Sequence, residues 1–159
     1  MKKVLFVAGC GGHVAQLSIL LQQIGDRFDS RLMLEKSDTL GIGKFSDKYS
    51  IYTATAIRGK SETVFMTVLR ILINSLQSVI ILFQTSPDYI ITTGPGLGIP
   101  ICLLGKFFGI KIIVIESWSR TSTKSIVGKA LNRFADIIFV QWPSMIRQYP
   151  NARYAGRLG

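Results

Sequence analysis

Residues 3–13 read Lys-Val-Leu-Phe-Val-Ala-Gly-Cys-Gly-Gly-His. The unbroken apolar run Val4–Ala8 followed by glycines describes a strand covered on both faces that turns at once into a helix. A strand that leads through a glycine turn into a helix belongs to a parallel α/β sheet. The glycines let a phosphate or sugar approach the backbone, and free N–H groups at Val14 and Ala15 favour an anion. A tight turn without a ligand has the same composition. After Gly9-x-Gly11 the last glycine position of a dinucleotide fingerprint is Val14. Glu35, at the end of the next strand, stands where a ribose-binding acid would, so a nicotinamide oxidoreductase remains an alternative.

The rest of the chain repeats the strand–helix alternation. Strands are expected at Lys3–Ala8, Ser30–Glu35, Ser50–Thr53, Tyr89–Thr92, Lys111–Glu116 and Ile137–Gln141. Helices are expected at Val14–Ile24, Ser61–Gln84, Leu97–Phe108 and Lys124–Phe134, with a short one from Pro143. Lys36–Asp47 reads as irregular. The pattern predicts a doubly wound, Rossmann-like parallel sheet in a single domain of 159 residues. Ligands of such sheets sit beyond the carboxyl ends of the strands, which singles out the loops 9–13, 93–98, 117–123 and 142–144.

Apolar residues make up 48% of the chain and the net charge is +10. From Lys106 onward nine Lys and Arg face only Glu116 and Asp136. An apolar, basic protein suits an anionic membrane surface or a diphosphate. No nucleic-acid-binding motif accompanies the charge, so nucleic acid is not expected as a partner. Cys10 and Cys102 imply neither a disulfide framework nor a metal site. The segment Val64–Phe83 is long enough to span a bilayer. Thr63, Thr67, Arg70, Asn74 and Gln77 or Ser78 form a polar stripe along it, which favours an amphipathic helix that is buried or faces a membrane.

His13, the only histidine, lies at a helix start beside the expected cleft. Histidine titrates near neutrality and suits a general base for a sugar hydroxyl, although it can also cap a helix or bind without chemistry. Gly94 and Gly96, in Thr-Thr-Gly-Pro-Gly-Leu-Gly-Ile-Pro (92–100), make an open backbone for a phosphate or sugar, or a plain turn. Glu116 follows an apolar strand and must pair or bind. It would accept sugar hydroxyls while Ser117 and Arg120 hold a phosphate, or it would form an ion pair with Arg120. Trp142 is open to stacking on a sugar, facing lipid, forming an interface or packing in the core.

The order GCGGH, TTGPGLGIP, ESWSR and ADIIFVQWPSMIRQYPNARYAGRLG closely resembles the Alg14 family over essentially the whole chain. The family's bacterial members are capsular and exopolysaccharide biosynthesis proteins. The GGH loop also looks like the acceptor-domain loop of the peptidoglycan lipid II glycosyltransferase. The resemblance implies the N-terminal, acceptor-side half of a GT-B glycosyltransferase split between two polypeptides. His13 would be the base and Glu116 would orient the acceptor. Gly11, Gly12, Gly94, Gly96, Ser117 and Arg120 would bind acceptor and phosphate. Trp142, Tyr149 and Tyr154 would meet an Alg13-like partner that carries the UDP-sugar donor. The acceptor would be a polyprenyl-diphosphate-linked sugar at the cytoplasmic face of a bacterial membrane. No cofactor or metal on this chain is implied, and little activity from it alone. Unlike eukaryotic members, the sequence opens without a membrane anchor, so peripheral attachment through Ser61–Gln84 and Leu97–Phe108 is expected. A non-catalytic scaffold would use the same surfaces only to recruit an enzyme.

Overall fold

A computed structural model describes residues 1–57 and 63–158. Seven parallel strands form one sheet: β1 (Lys3–Val7), β2 (Asp29–Glu35), β3 (Ser50–Ala54), β4 (Tyr89–Thr92), β5 (Lys111–Ile115), β6 (Ile137–Val140) and β7 (Ala152–Tyr154). Their order is β3-β2-β1-β4-β5-β6-β7, so the winding reverses between β1 and β4. This is the doubly wound architecture that the strand–helix alternation demands, and its crevice lies at that reversal.

Successive side chains of β1 point to opposite faces. Leu5 and Val7 join a core with Ile101, Ile112 and Leu131. Val4, Phe6 and Ala8 join another with Leu17, Leu21 and Leu34. The first core is roofed by α3 (Val64–Thr85), α4 (Gly98–Phe107) and α5 (Ile126–Leu131), the second by α1 (Gly12–Ile24) and α2 (Thr39–Phe45). Burial of this kind pushes the Cys102 thiol up to about 12 and leaves it inert.

Three elements depart from the sequence expectation. The stretch read as irregular contains α2, capped by Asp38, whose side chain accepts from the Gly41 N–H at 3.1 Å. Gly41 and Gly43 lower its helix propensity, and the cap compensates. The chain also adds β7, a three-residue edge strand paired with β6. α5 (Ile126–Leu131) is shorter than expected; Ser125 caps its start, accepting from Gly128 N–H at 2.8 Å. Ser61 and Glu62, read as the start of the long helix, lie outside the described residues.

α3 is long and apolar enough to cross a bilayer, but its polar stripe faces the protein. Asn74 Nδ2 donates to Thr55 O at 2.6 Å, Thr55 N–H donates to Gln77 Oε1 at 2.9 Å, and Ser78 donates to Asn74 Oδ1 at 3.2 Å. Only Asn74, Ser78, Ile81, Leu82 and Thr85 of the helix are buried. Phe65, Leu69, Leu72, Leu76 and Phe83 point outward. Thr55 lies just past the end of β3, and Arg31, early in β2, donates to Gln84 O and Thr85 O. Residues 64–73 therefore stand beyond the carboxyl ends of the strands.

Candidate functional site

The loops at the carboxyl edge enclose a cleft of about 520 Å³. His13, Gly94, Gly96, Ser117 and Arg120, predicted from separate motifs, all line it. Glu35, Ser119 and Ser125 complete its polar part. Gly11 and Gly12 are exposed in the loop that carries His13 and do not line the cleft.

His13 is the second residue of α1, placed there by Gly11, whose φ of 60° suits glycine. Its Nδ1 lies 2.7 Å from Thr93 O. A carbonyl only accepts, so Nδ1 carries the proton and neutral His13 is the tautomer with a lone pair on Nε2. The threonine hydroxyl closes the link from the other side, donating to His13 O at 3.1 Å. Gly9 and Gly94 flank the ring: a Cβ on Gly9 would come within 3.8 Å of His13 Cδ2, and one on Gly94 within 3.9 Å of Cε1. Ala15 N–H, expected to be free, bonds Gly11 O at 3.1 Å. The free donors at this helix start are instead the N–H groups of Gly12, His13 and Val14, as the first turn of a helix leaves them.

The second glycine loop wraps the other side. Thr92 Oγ1 accepts from Gly94 N–H at 3.2 Å and holds the turn at φ 86°. Nothing stands within 4 Å of where a Gly96 Cβ would be, so the backbone there is open to a ligand. Val14, by contrast, packs in the core. A dinucleotide fingerprint would place a glycine there for close helix–strand packing. Glu35 does reach the cleft, where its carboxylate accepts from the Ser37 hydroxyl.

Glu116 is placed differently from its expected role. The residue is 1% exposed and its carboxylate is fully engaged. Oε1 accepts from Ser117 N–H at 2.9 Å, and Oε2 accepts from Ser125 N–H at 3.3 Å and from the Tyr149 hydroxyl. It neither lines the cleft nor pairs with Arg120; it pins both ends of the loop that carries Ser117, Ser119 and Arg120. Burial, and then the neighbouring Glu116 carboxylate, push the Tyr149 hydroxyl well above the usual phenol range, so it stays a donor. Arg120 is exposed at the rim, available to an anion.

The three residues expected at a partner surface also separate. Tyr149, 3% exposed, belongs to the core and offers no interface. Trp142 is half-buried; its Nε1–H donates to Trp118 O at 2.7 Å, and the Arg157 guanidinium sits 4.6 Å from its ring centre. Tyr154 alone is well exposed, on the edge strand β7. Sequence reasoning missed Thr93 as the group that orients His13. A backbone carbonyl leaves no trace in residue identity.

The family described as "Oligosaccharide biosynthesis protein Alg14 like" matches residues 4–158. The chain belongs to this Alg14-like family. The UDP-N-acetylglucosamine transferase subunit alg14 of Schizosaccharomyces pombe is 31% identical to it, over 98% of this chain and 82% of the relative. The human subunit of the same name is 29% identical over the same shares. Among solved structures, Acinetobacter baumannii MurG superposes with a TM-score of 0.73 at 17% identity, covering 99% of this chain and 44% of that one. The UDP-N-acetylglucosamine 2-epimerase of Rickettsia bellii gives 0.75 at 14%, covering 99% and 45%. This Alg14-like chain thus spans less than half of either solved chain, and at such identities the likeness is one of fold.

Proposed function

We propose that this chain is the acceptor-binding, membrane-docking subunit of a two-polypeptide, inverting UDP-sugar glycosyltransferase that extends a polyprenyl-diphosphate-linked sugar for capsule or exopolysaccharide. The observation that carries the reading is the Nδ1–H to Thr93 O bond, which leaves His13 Nε2 as the basic nitrogen at a cleft that also holds Arg120. Nε2 takes the proton of the acceptor hydroxyl as that oxygen attacks the anomeric carbon, and UDP departs with the electron pair of the broken bond. Arg120, the His13 N–H and the open backbone at Gly96 hold the acceptor's diphosphate and sugar. Glu116 shapes the Arg120 loop rather than touching the acceptor.

The names of the Schizosaccharomyces pombe and human relatives support an N-acetylglucosamine donor and a partner subunit. The donor site lies on an Alg13-like partner, and Tyr154 with the β7 edge is the part of the expected docking surface that is free to meet it. The outward apolar face of α3 holds the subunit peripherally on the cytoplasmic face of the membrane, because a helix that turns its polar stripe inward leaves hydrocarbon for its surroundings.

His13→Ala in the assembled pair is expected to lower turnover by roughly 100-fold or more, with pairing intact. An unchanged rate with intact pairing would instead identify a scaffold that only recruits the enzyme.

A further inference from the structure

The cleft is two-sided in its chemistry. His13, Arg120 and the serines of the Glu116-pinned loop share its walls with Ile57, Leu97, Ile99, Ile126 and Val127. Ile126 is 73% exposed in the first turn of α5. A single exposed isoleucine on a surface means little. Here it lines a cleft, with Ile57 and Ile99 half-buried in the same walls. A purely polar ligand gains nothing from the apolar side chains, whereas an amphipathic one meets both kinds.

The position of α3 says where such a ligand comes from. Its 22 residues extend about 33 Å, against about 13 Å for the four residues of β4. Thr67, on the part that stands beyond the strands, lines the cleft. Val64, Phe65, Val68 and Leu72 of the same turns are exposed and apolar. α3 thus borders the cleft through Thr67 and exposes apolar side chains on the neighbouring positions.

We propose that the groove between Thr67 of α3, Ile99 of α4 and Ile126 of α5 binds the first aliphatic units of the acceptor's lipid chain, guiding it from the membrane to His13 and Arg120. The inference rests on the functional reading above and deepens it. The chain leaves the bilayer along α3, the isoleucines take its diphosphate-proximal carbons, and the headgroup arrives beside Arg120 and His13. Affinity for the acceptor is then shared between charge at one end and hydrocarbon at the other. Ile126 is the residue to alter, because it is exposed and its replacement leaves the core untouched.

The test compares two acceptors with the assembled pair, one carrying a long polyprenyl chain and one carrying the same diphosphate-sugar on a chain of a few carbons. Ile126→Gln is expected to lower kcat/KM for the long-chain acceptor by about 10-fold, the scale at which a hydrophobic pocket discriminates. It should leave the short-chain acceptor within about twofold, and Ile126→Leu should retain the long-chain rate. An equal loss for both acceptors, or no loss for either, overturns the groove. Absence of transfer by the unaltered pair to any lipid-diphosphate acceptor overturns the functional reading, and the groove with it.

Discussion

Glu116 shows how a buried carboxylate can serve a site without entering it. Its two oxygens accept from Ser117 N–H, Ser125 N–H and the Tyr149 hydroxyl, and α5 passes close above them at Gly128, where a Cβ would strike the Tyr149 hydroxyl. Glu116→Ala strands all three donors, each at about 1–3 kcal/mol, so a loss of stability of about 3 kcal/mol is expected by urea unfolding. Tyr149→Phe removes only one donor and should cost about 1 kcal/mol. If both substitutions leave the unfolding midpoint unchanged, the pin is not holding the loop. The sequence announced that a glutamate here must pair or bind, and it does pair. Its partners were hidden because Tyr149 is 33 residues away and two of the bonds run to backbone N–H groups.

Among the elements, α3 carries the membrane claim. Its polar positions bond the chain around Thr55, so the helix docks by hydrogen bonds and leaves its hydrocarbon outside. Leu72→Asp together with Leu76→Asp should weaken binding to anionic vesicles by about 10-fold or more, since both side chains are exposed and apolar. The melting temperature should hold, because neither contacts the core. Vesicle binding that survives the double change would move the docking surface elsewhere. The stripe itself was readable in the spacing of Thr67, Asn74 and Ser78; its inward direction was not, because periodicity gives a face and not what lies opposite it. Strong apolar strands such as Ile112–Ile115 were equally plain. α2 and β7 escaped for the opposite reason. Gly41 and Gly43 weaken a helix signal, and Ala152-Arg153-Tyr154 has no apolar period, drawing its strand geometry from β6.

At the scale of the molecule, one sheet brings three separate motifs to a single edge. The reversal between β1 and β4 sets the His13 loop against the Thr93–Gly98 loop, and β5 adds the Ser117–Arg120 loop. The motifs were legible one at a time, and their convergence follows from parallel strands, whose carboxyl ends all lie on one side. In the proposed reading the cleft serves the acceptor and the donor belongs to the partner. The central claim is therefore division of the reaction between two polypeptides. It is tested most directly by measuring transfer of N-acetylglucosamine from UDP-N-acetylglucosamine to a polyprenyl-diphosphate-linked sugar with this chain alone, with the donor-binding subunit alone, and with both. The account predicts product only in the mixture. Transfer by this chain alone at the rate of the mixture would contradict it, because donor and acceptor would then both bind here.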